Sequence, residues 1–512
     1  MRSELPKYPV LPAEYRPHSL PGGPWRVVRD SCVQMRSHLL WFCLFALSAC
    51  SARAAEVRAV HAGDDLQAAL NQAKPGDELR LDAGAVFRGS FVLPAKTGDG
   101  RITMRTDLPD ASLPPDGVRV TPAAAARFAK LESLSSEPAL KTAPGAHNWR
   151  LLGLEFRANK DGYGDILLLG DGSAAQSSLD QVPHDILIDR VYMHGDPSAG
   201  QKRGIALNAK AVTIRNSYIS DIAAEGFDAQ AIAGWNGPGP FLIENNYLEA
   251  SGEVFLLGGA DPAIPDLVPS DVVVRYNHVT RPMTWRGSRW QIKNLLELKN
   301  ARRVRIEYNL FENNWVEAQP GYAILFTPRN QDGKCPWCVV ESVEFSHNIV
   351  RNTSAGMNIL GFDSPNVSRQ TNAIHVEDNL FSGITKTLGG NGWGVLIGDG
   401  PRDITFERNT FDFDGTTLLY AYGGDQGHGR PIAGFRFTNN AGRKGQYGIN
   451  GADASPGKLT MERYFPGATF SGNVLKDDLD VNARTGVGAD VKRLLQMADA
   501  VTRGVRPTLS AQ

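Results

Sequence analysis

Eight asparagines recur in one phrase, apolar-x-apolar-x-x-Asn-x-apolar, at Asn246, Asn277, Asn309, Asn348, Asn379, Asn409, Asn440 and Asn473. The steps between them are 31, 32, 39, 31, 30, 31 and 33 residues. Two earlier copies carry Val191 and Ser217 in place of the Asn. A fixed period of this size describes stacked structural units rather than a folded-up globule. The apolar-x-apolar piece alternates with period two, so it reads as a short strand with one buried face. The Asn then falls in a turn, where its short amide tolerates left-handed backbone and bonds locally. Stacked coil on coil, such amides can bond along the stack. The repeated segments do not show the 3.6 periodicity of helical arrays, and the Gly-His and Trp-Asp marks of propeller blades are missing from the repeat.

Each coil carries a second apolar strand before the phrase, at 166–169, 205–207, 254–257, 295–298, 323–326, 395–397 and 418–422. A Gly, often with an Asp close behind, tends to follow, as in Gly170-Asp171, Gly361-Phe362-Asp363 and Gly398-Asp399. With these features the chain resembles the right-handed parallel β-helix, pectate-lyase-like superfamily over roughly residues 80–480. The expected fold is all-β: a right-handed parallel β-helix solenoid with short helical caps at both ends. Function on such a scaffold lives in the site, not in the fold.

The rest of the chain frames that rod. Residues 1–34 hold six Pro and read as a start codon called too early or a disordered extension. A short basic start at 35–38 and a nine-residue apolar run at 39–47 make 35–54 a signal peptide; the run is too short to span a bilayer. Two cleavage readings stay open. Leu47-Ser48-Ala49-Cys50 is lipobox-like and would lipidate Cys50, whereas Ala52-Arg53-Ala54 suits ordinary export. The expected location is extracytoplasmic: an outer-membrane lipoprotein, periplasmic or secreted. No membrane-spanning stretch follows residue 54. Residues 1–54 carry seven Lys and Arg against three Asp and Glu, which takes the remainder from the whole-chain −1 to −5. That modest acidity argues against a nucleic-acid partner. Residues 55–485 form the solenoid, which grows in one dimension and needs no second domain. A monomer is expected.

The open ends of a solenoid need covers. Asp64 and Asp65 can cap a helix at 64–74 that Pro75-Gly76-Asp77 stops. At the other end, Asp490 precedes a one-faced apolar pattern, so 486–512 reads as a C-terminal capping helix and tail, or as a partner-binding helix.

Long steps mark loops, and neighbouring loops make groove walls. The step from Asn309 to Asn348 holds the tract 328–338, with Cys335 and Cys338. These are the two cysteines left after export, and they lack a thioredoxin-like context, so a loop-stapling disulfide is expected; a metal site with His347 is the alternative. Trp235, Arg286 and Trp290 lie in loops and, with Arg302 and Arg303, are candidate sugar contacts; aromatics packing beneath a loop are the competing reading.

In stacked coils, matching positions lie one strand spacing apart. Reading the second strand and its turn down the stack gives Asp228, then Glu253 and Asp261, then Glu297 and Lys299, then Arg329. Alternation in 295–299 puts Leu296 and Leu298 inside, with Glu297 and Lys299 outside. The mix suits β-elimination on an acidic polysaccharide, in which cations neutralise the sugar carboxylate and a Lys removes the neighbouring proton. The Glu-x-Lys with a later Arg resembles β-helix alginate and chondroitin lyases. That resemblance implies Lys299 as base, Arg329 as stabiliser or acid, and Glu297 in the catalytic group, with Ca²⁺ held among Glu253, Asp261, Asp228 and Glu297. Gly427-His428-Gly429 resembles a polygalacturonase element, which keeps a glycoside hydrolase open, and a non-catalytic glycan-binding or adhesion protein is the third reading.

Overall fold

The computed structural model describes residues 54–423, 431–480 and 486–507. The signal-peptide segment, Cys50 and Gly427-His428-Gly429 all lie outside these residues. Among the described residues the chain winds into three long parallel sheets of a right-handed β-helix. Sheet A has 14 strands, from Val57–Val60 to Thr469–Ser471. Sheet B has 13, from Val86–Arg88 to Val474–Leu475, and sheet C has 12, from Phe91–Leu93 to Gly448–Gly451. Thirteen strand spacings make the rod about 60 Å long.

The two strands per coil read from the sequence are those of sheets A and C. The third, in sheet B, follows the Asn directly. It is short and mixes polar groups such as Glu249 and Thr280 with apolar ones, so it merges with the end of the phrase. Between the sheets one continuous apolar core runs the length of the rod. In sheet A, Val272 pairs with Val304, Val304 with Val343, Val343 with Ile374 and Ile374 with Ile404, so like sits on like.

The asparagines stand in file. From Asn246 to Asn473, each Nδ2 donates to the Oδ1 of the next, at 2.9 to 3.2 Å. Each backbone N from Asn246 to Asn440 also donates to the Oδ1 of the next; Asn309 N, for example, donates to Asn348 Oδ1 at 2.9 Å. One detail differs from expectation. The left-handed residue is the one before the ladder Asn, including Asn245, Tyr276, Tyr308, His347, Asp378, Arg408 and Asn439, all with φ between 51° and 57°. The ladder Asn is selected by its side-chain bonds rather than by its backbone.

Helix α1 (Leu66–Gln72) covers the first coil, with Asp65 Oδ1 accepting from Ala68 N at 2.9 Å and Leu66 and Leu70 in the core. The other end is covered by α2 (Lys458–Tyr464), whose Tyr464 and the following Phe465 close the core. The expected C-terminal lid is therefore corrected. Helix α3 (Val491–Thr502) lies along the flank, where Leu494, Met497, Ala498 and Val501 pack on Leu310, Ile349 and Leu380. The chain then returns towards early coils. Arg119 donates to the Val501 carbonyl, Val505 bridges Val118, and Arg506 N donates to Gly117 O at 2.8 Å. The apolar face read as a lid is spent on the side of the rod, because α2 already occupies its end. No helix among the described residues is long and apolar enough to cross a membrane.

Candidate functional site

Along the outer face of sheet C runs a cleft of about 740 Å³. Its floor is built from successive coils, which present Arg203, Gln230, Glu253, Lys299 and Arg329 in turn. The same coil-to-coil logic that aligns the asparagines also orders this floor. Asp165 pairs in register with Arg203, and Arg203 with Gln230. Arg203 Nη1 donates to Asp165 Oδ1 at 2.8 Å and its Nε to Gln230 Oε1 at 3.0 Å. Gln230 Nε2 then donates to Glu253 Oε2 at 3.0 Å.

One coil further on, strand Leu296–Leu298 turns Leu296 and Leu298 into the core and Glu297 outward, as alternation requires. Glu297 is nevertheless only 1% exposed. Lys299 Nζ caps it at 2.7 Å, Asn294 Nδ2 donates to its Oε2 at 2.9 Å and Thr327 Oγ1 to its Oε1 at 3.0 Å. Burial works to raise the Glu297 carboxyl, but Lys299 and these two donors outweigh it and hold it below the ordinary value. The reverse holds for Glu253. Burial, with Glu297 and Asp228 nearby, pushes its carboxyl up against the pull of Lys293 and Gln230.

Arg329 follows one coil on, its backbone N donating to Lys299 O at 2.9 Å and its Nη1 lying 3.2 Å from Asp363 Oδ1. Gly258 makes the close approach possible. It sits at φ +91°, and a Cβ there would stand 2.6 Å from Asn300 N. Beneath the floor, Arg281 is fully buried, donating to Gly252 O at 2.9 Å, Asn294 O at 2.7 Å and Asn314 Oδ1 at 2.7 Å. Burial lowers its guanidinium to about 9.

The structure thus brings Asp228, Glu253, Lys299, Arg329 and Trp235 to one cleft, with Glu297 directly beneath Lys299. Trp235 is half-buried, anchored by Nε1 donating to Gly172 O at 2.8 Å, with the Arg203 guanidinium 5.1 Å from its ring centre. The other candidates sit elsewhere. Arg302 and Arg303 are on sheet A; Arg303 makes a two-pronged pair with Asp271 at 2.7 Å. Trp290 is buried in a loop cluster with Ala223, Ile292, Trp315 and Leu388, and Arg286 is bonded to the Thr387 carbonyl, so the packing reading holds for this loop. Asp261 ties two loops together, its Oδ2 accepting from Asp332 N at 3.0 Å and Lys334 N at 2.9 Å. Cys335 and Cys338 form a buried disulfide in that same loop, whereas His347 stacks on Tyr308.

Sequence reasoning missed Lys202, Arg203, Gln230 and Lys293 in the cleft. For Arg203 and Gln230 the signal was their shared register; Lys293 arrives on an irregular loop that carries no repeat. Elsewhere, His375, Glu377 and Glu407 on sheet A place ligand atoms within 4.8 Å of one another. The Arg408 guanidinium already bridges both carboxylates there, 2.9 Å from each.

No protein-family model matches the sequence, and no curated protein sequence matches it either. The fold defines the class: a right-handed parallel β-helix protein. Among solved structures the chain is similar to a mannuronic-acid-specific polysaccharide family 6 lyase from human gut microbiota, with a TM-score of 0.53 and 14% identity over 88% of this chain and 96% of that one. It is also similar to the PL6 family alginate lyase AlyGC (TM-score 0.46, 14% identity, 85% of this chain and 58% of that one). A third is the Streptococcus pneumoniae surface protein and adhesin PfbA (TM-score 0.40, 10% identity, 80% and 94%). The first of these likenesses shows a shared fold.

Proposed function

We propose that the protein binds an extended acidic polysaccharide in the sheet C cleft and cleaves it by β-elimination. The observation that carries this reading is the pairing of Lys299 with the buried Glu297, one coil from Arg329. In β-elimination a base removes the proton beside the uronate carboxylate, cations stabilise the charge that develops, and the glycosidic oxygen leaves. Lys299, in its neutral form, takes the proton, and Glu297 stabilises the ammonium that results. Arg329 faces the carboxylate or the leaving oxygen. Trp235 offers a ring to a sugar face. The cleft's other basic groups, Lys202, Arg203, Lys293 and Arg329, favour a polyanion.

The solved neighbour that acts on mannuronic acid makes alginate the first polymer to test, with pectate and chondroitin beside it. Ultraviolet absorbance of an unsaturated uronate product supports the lyase; new reducing ends without that absorbance point to hydrolysis. Retention of a glycan with neither signal would favour a binding protein, a reading supported by the internal pairing of Lys299 with Glu297 and Arg329 with Asp363. Full activity in Lys299→Ala would remove Lys299 as the base. The buried Cys335–Cys338 disulfide supports an extracytoplasmic location.

A further inference from the structure

Asp228 and Glu253 are the cleft carboxylates that a divalent cation would be expected to join, but a side chain already joins them. Lys293 Nζ lies 2.5 Å from Asp228 Oδ1 and 3.1 Å from Glu253 Oε1. Both Glu253 oxygens are engaged, and Asp228 Oδ1 takes a second donor. Gln230 Nε2 reaches Glu253 Oε2 at 3.0 Å, and Gln291 Nε2 reaches Asp228 Oδ1 at 2.8 Å. Ca²⁺ takes about 6–8 oxygen ligands; here N–H groups point at the oxygens it would need. The third candidate, Asp261, does not line the cleft and spends its Oδ2 on the backbone N–H groups of residues 332 and 334. The donor set therefore does not fit Ca²⁺.

Lys293 is not a surface side chain that happens to lean this way. Its backbone N donates to Ser251 O at 3.2 Å, and its neighbour Ile292 is fully buried, with Ile292 N donating to Glu317 Oε2 at 2.7 Å. Trp290, three residues back, is packed in the same cluster. The loop thus delivers the ammonium to a fixed place. Burial works against that charge, but Glu253 and Asp228 outweigh it and hold Lys293 in its charged form. An ammonium has three donors; two are used by the carboxylates, and Lys293 also lines the cleft.

We infer that Lys293 is a built-in cation that takes the place of a divalent metal, bridging Asp228 and Glu253 and giving its remaining N–H to a uronate carboxylate of the bound polymer. This rests on the polysaccharide reading above for the identity of the substrate, but the cation assignment stands on the carboxylate pair alone. The consequence is a site that works without metal and turns into a metal site when the lysine is removed.

The test is isothermal titration calorimetry with calcium chloride on the full chain, as the wild type, Glu253→Gln, Lys293→Met and the double variant Lys293→Met/Glu253→Gln. The methionine keeps the apolar stem, and circular dichroism checks the fold. The wild type should give no binding heat, Lys293→Met should bind Ca²⁺, and the added Glu253→Gln should abolish that binding. In turnover, chelator should leave the wild-type rate unchanged, and Lys293→Met should lower kcat/KM about 100-fold, with partial recovery in calcium chloride. Calcium binding by the wild type that Glu253→Gln removes overturns the inference. So does a folded Lys293→Met that binds none. Calorimetry needs no turnover, so failure to cleave any polymer sinks the lyase proposal and leaves this inference to be decided on its own result.

Discussion

Lys299 and Glu297 form a pair in which only one member meets solvent: the Lys299 side chain is 16% exposed and that of Glu297 1%, with Nζ and Oε1 2.7 Å apart. Removing the lysine alone strands a buried carboxylate, a loss that typically costs about 3–5 kcal/mol. Lys299→Ala should therefore be strongly destabilised in urea unfolding, and Lys299→Ala/Glu297→Gln should recover much of the loss. If the two changes simply add, Glu297 does not serve as the counter-charge that positions Lys299.

The asparagine file gives a graded expectation. Asn348 is fully buried and links Asn309, Ile306 and Asn379, whereas Asn473, at the end of the file, is only half-buried. Each buried partner left unsatisfied costs about 1–3 kcal/mol. Asn348→Ala should lose about 3 kcal/mol or more and Asn473→Ala about 1 kcal/mol. Equal denaturation midpoints for the two would show that the file contributes little.

A pH effect follows from Glu249 in sheet B. Burial pushes its carboxyl up to about 7, against the bonds it accepts from Asp221 N and Tyr247 Oη, with Asp221 adding to the rise. A carboxyl raised on folding holds its proton in the native state after the unfolded chain has released it. Its contribution is therefore favourable at low pH and is lost as pH rises from the ordinary carboxylate range to about 7. Over that window the wild type should lose about 3 kcal/mol that Glu249→Gln does not lose. Unfolding free energies with the same pH slope for both proteins would refute the assignment.

Helix α3 should be separable from the rod locally. Leu494 is its buried contact with Leu310, Ile349 and Leu380. Leu494→Asp should cost the docking about 2–5 kcal/mol. Hydrogen exchange should then accelerate across Val491–Thr502 while the strands of the asparagine file keep their protection. Uniform acceleration along the chain would mean that the helix does not dock as an independent unit.

Much of the fold was legible because its signal repeats. Asn277 and Asn309 announce a stack at any one position, and 295–298 shows by alternation which side of Glu297 faces out. What the sequence hid was set by contacts that do not repeat. Helix α2 closes the core through Tyr464 and Phe465, which look like any aromatic pair after Gly457. The apolar face of α3 was visible, but its docking place depends on Leu310, Ile349 and Leu380, which are distant in the chain. In the cleft, Lys299 and Arg329 could be aligned by coil counting. Lys293 could not, since its position depends on how Trp290 and Ile292 bury a loop. Trp290 itself shows the limit of composition: a tryptophan beside arginines suits a sugar and a core equally well.

The return of the last segment along the flank changes how the whole rod can come apart. Coils in a solenoid touch only their neighbours, and such arrays can fray one layer at a time. Here the same terminal segment touches Gly117 and Val118 near one end and Leu380 far along the other way. It acts as a splint: layers between those points cannot peel off singly while it stays in place, so unfolding of the middle of the rod should proceed as one concerted event.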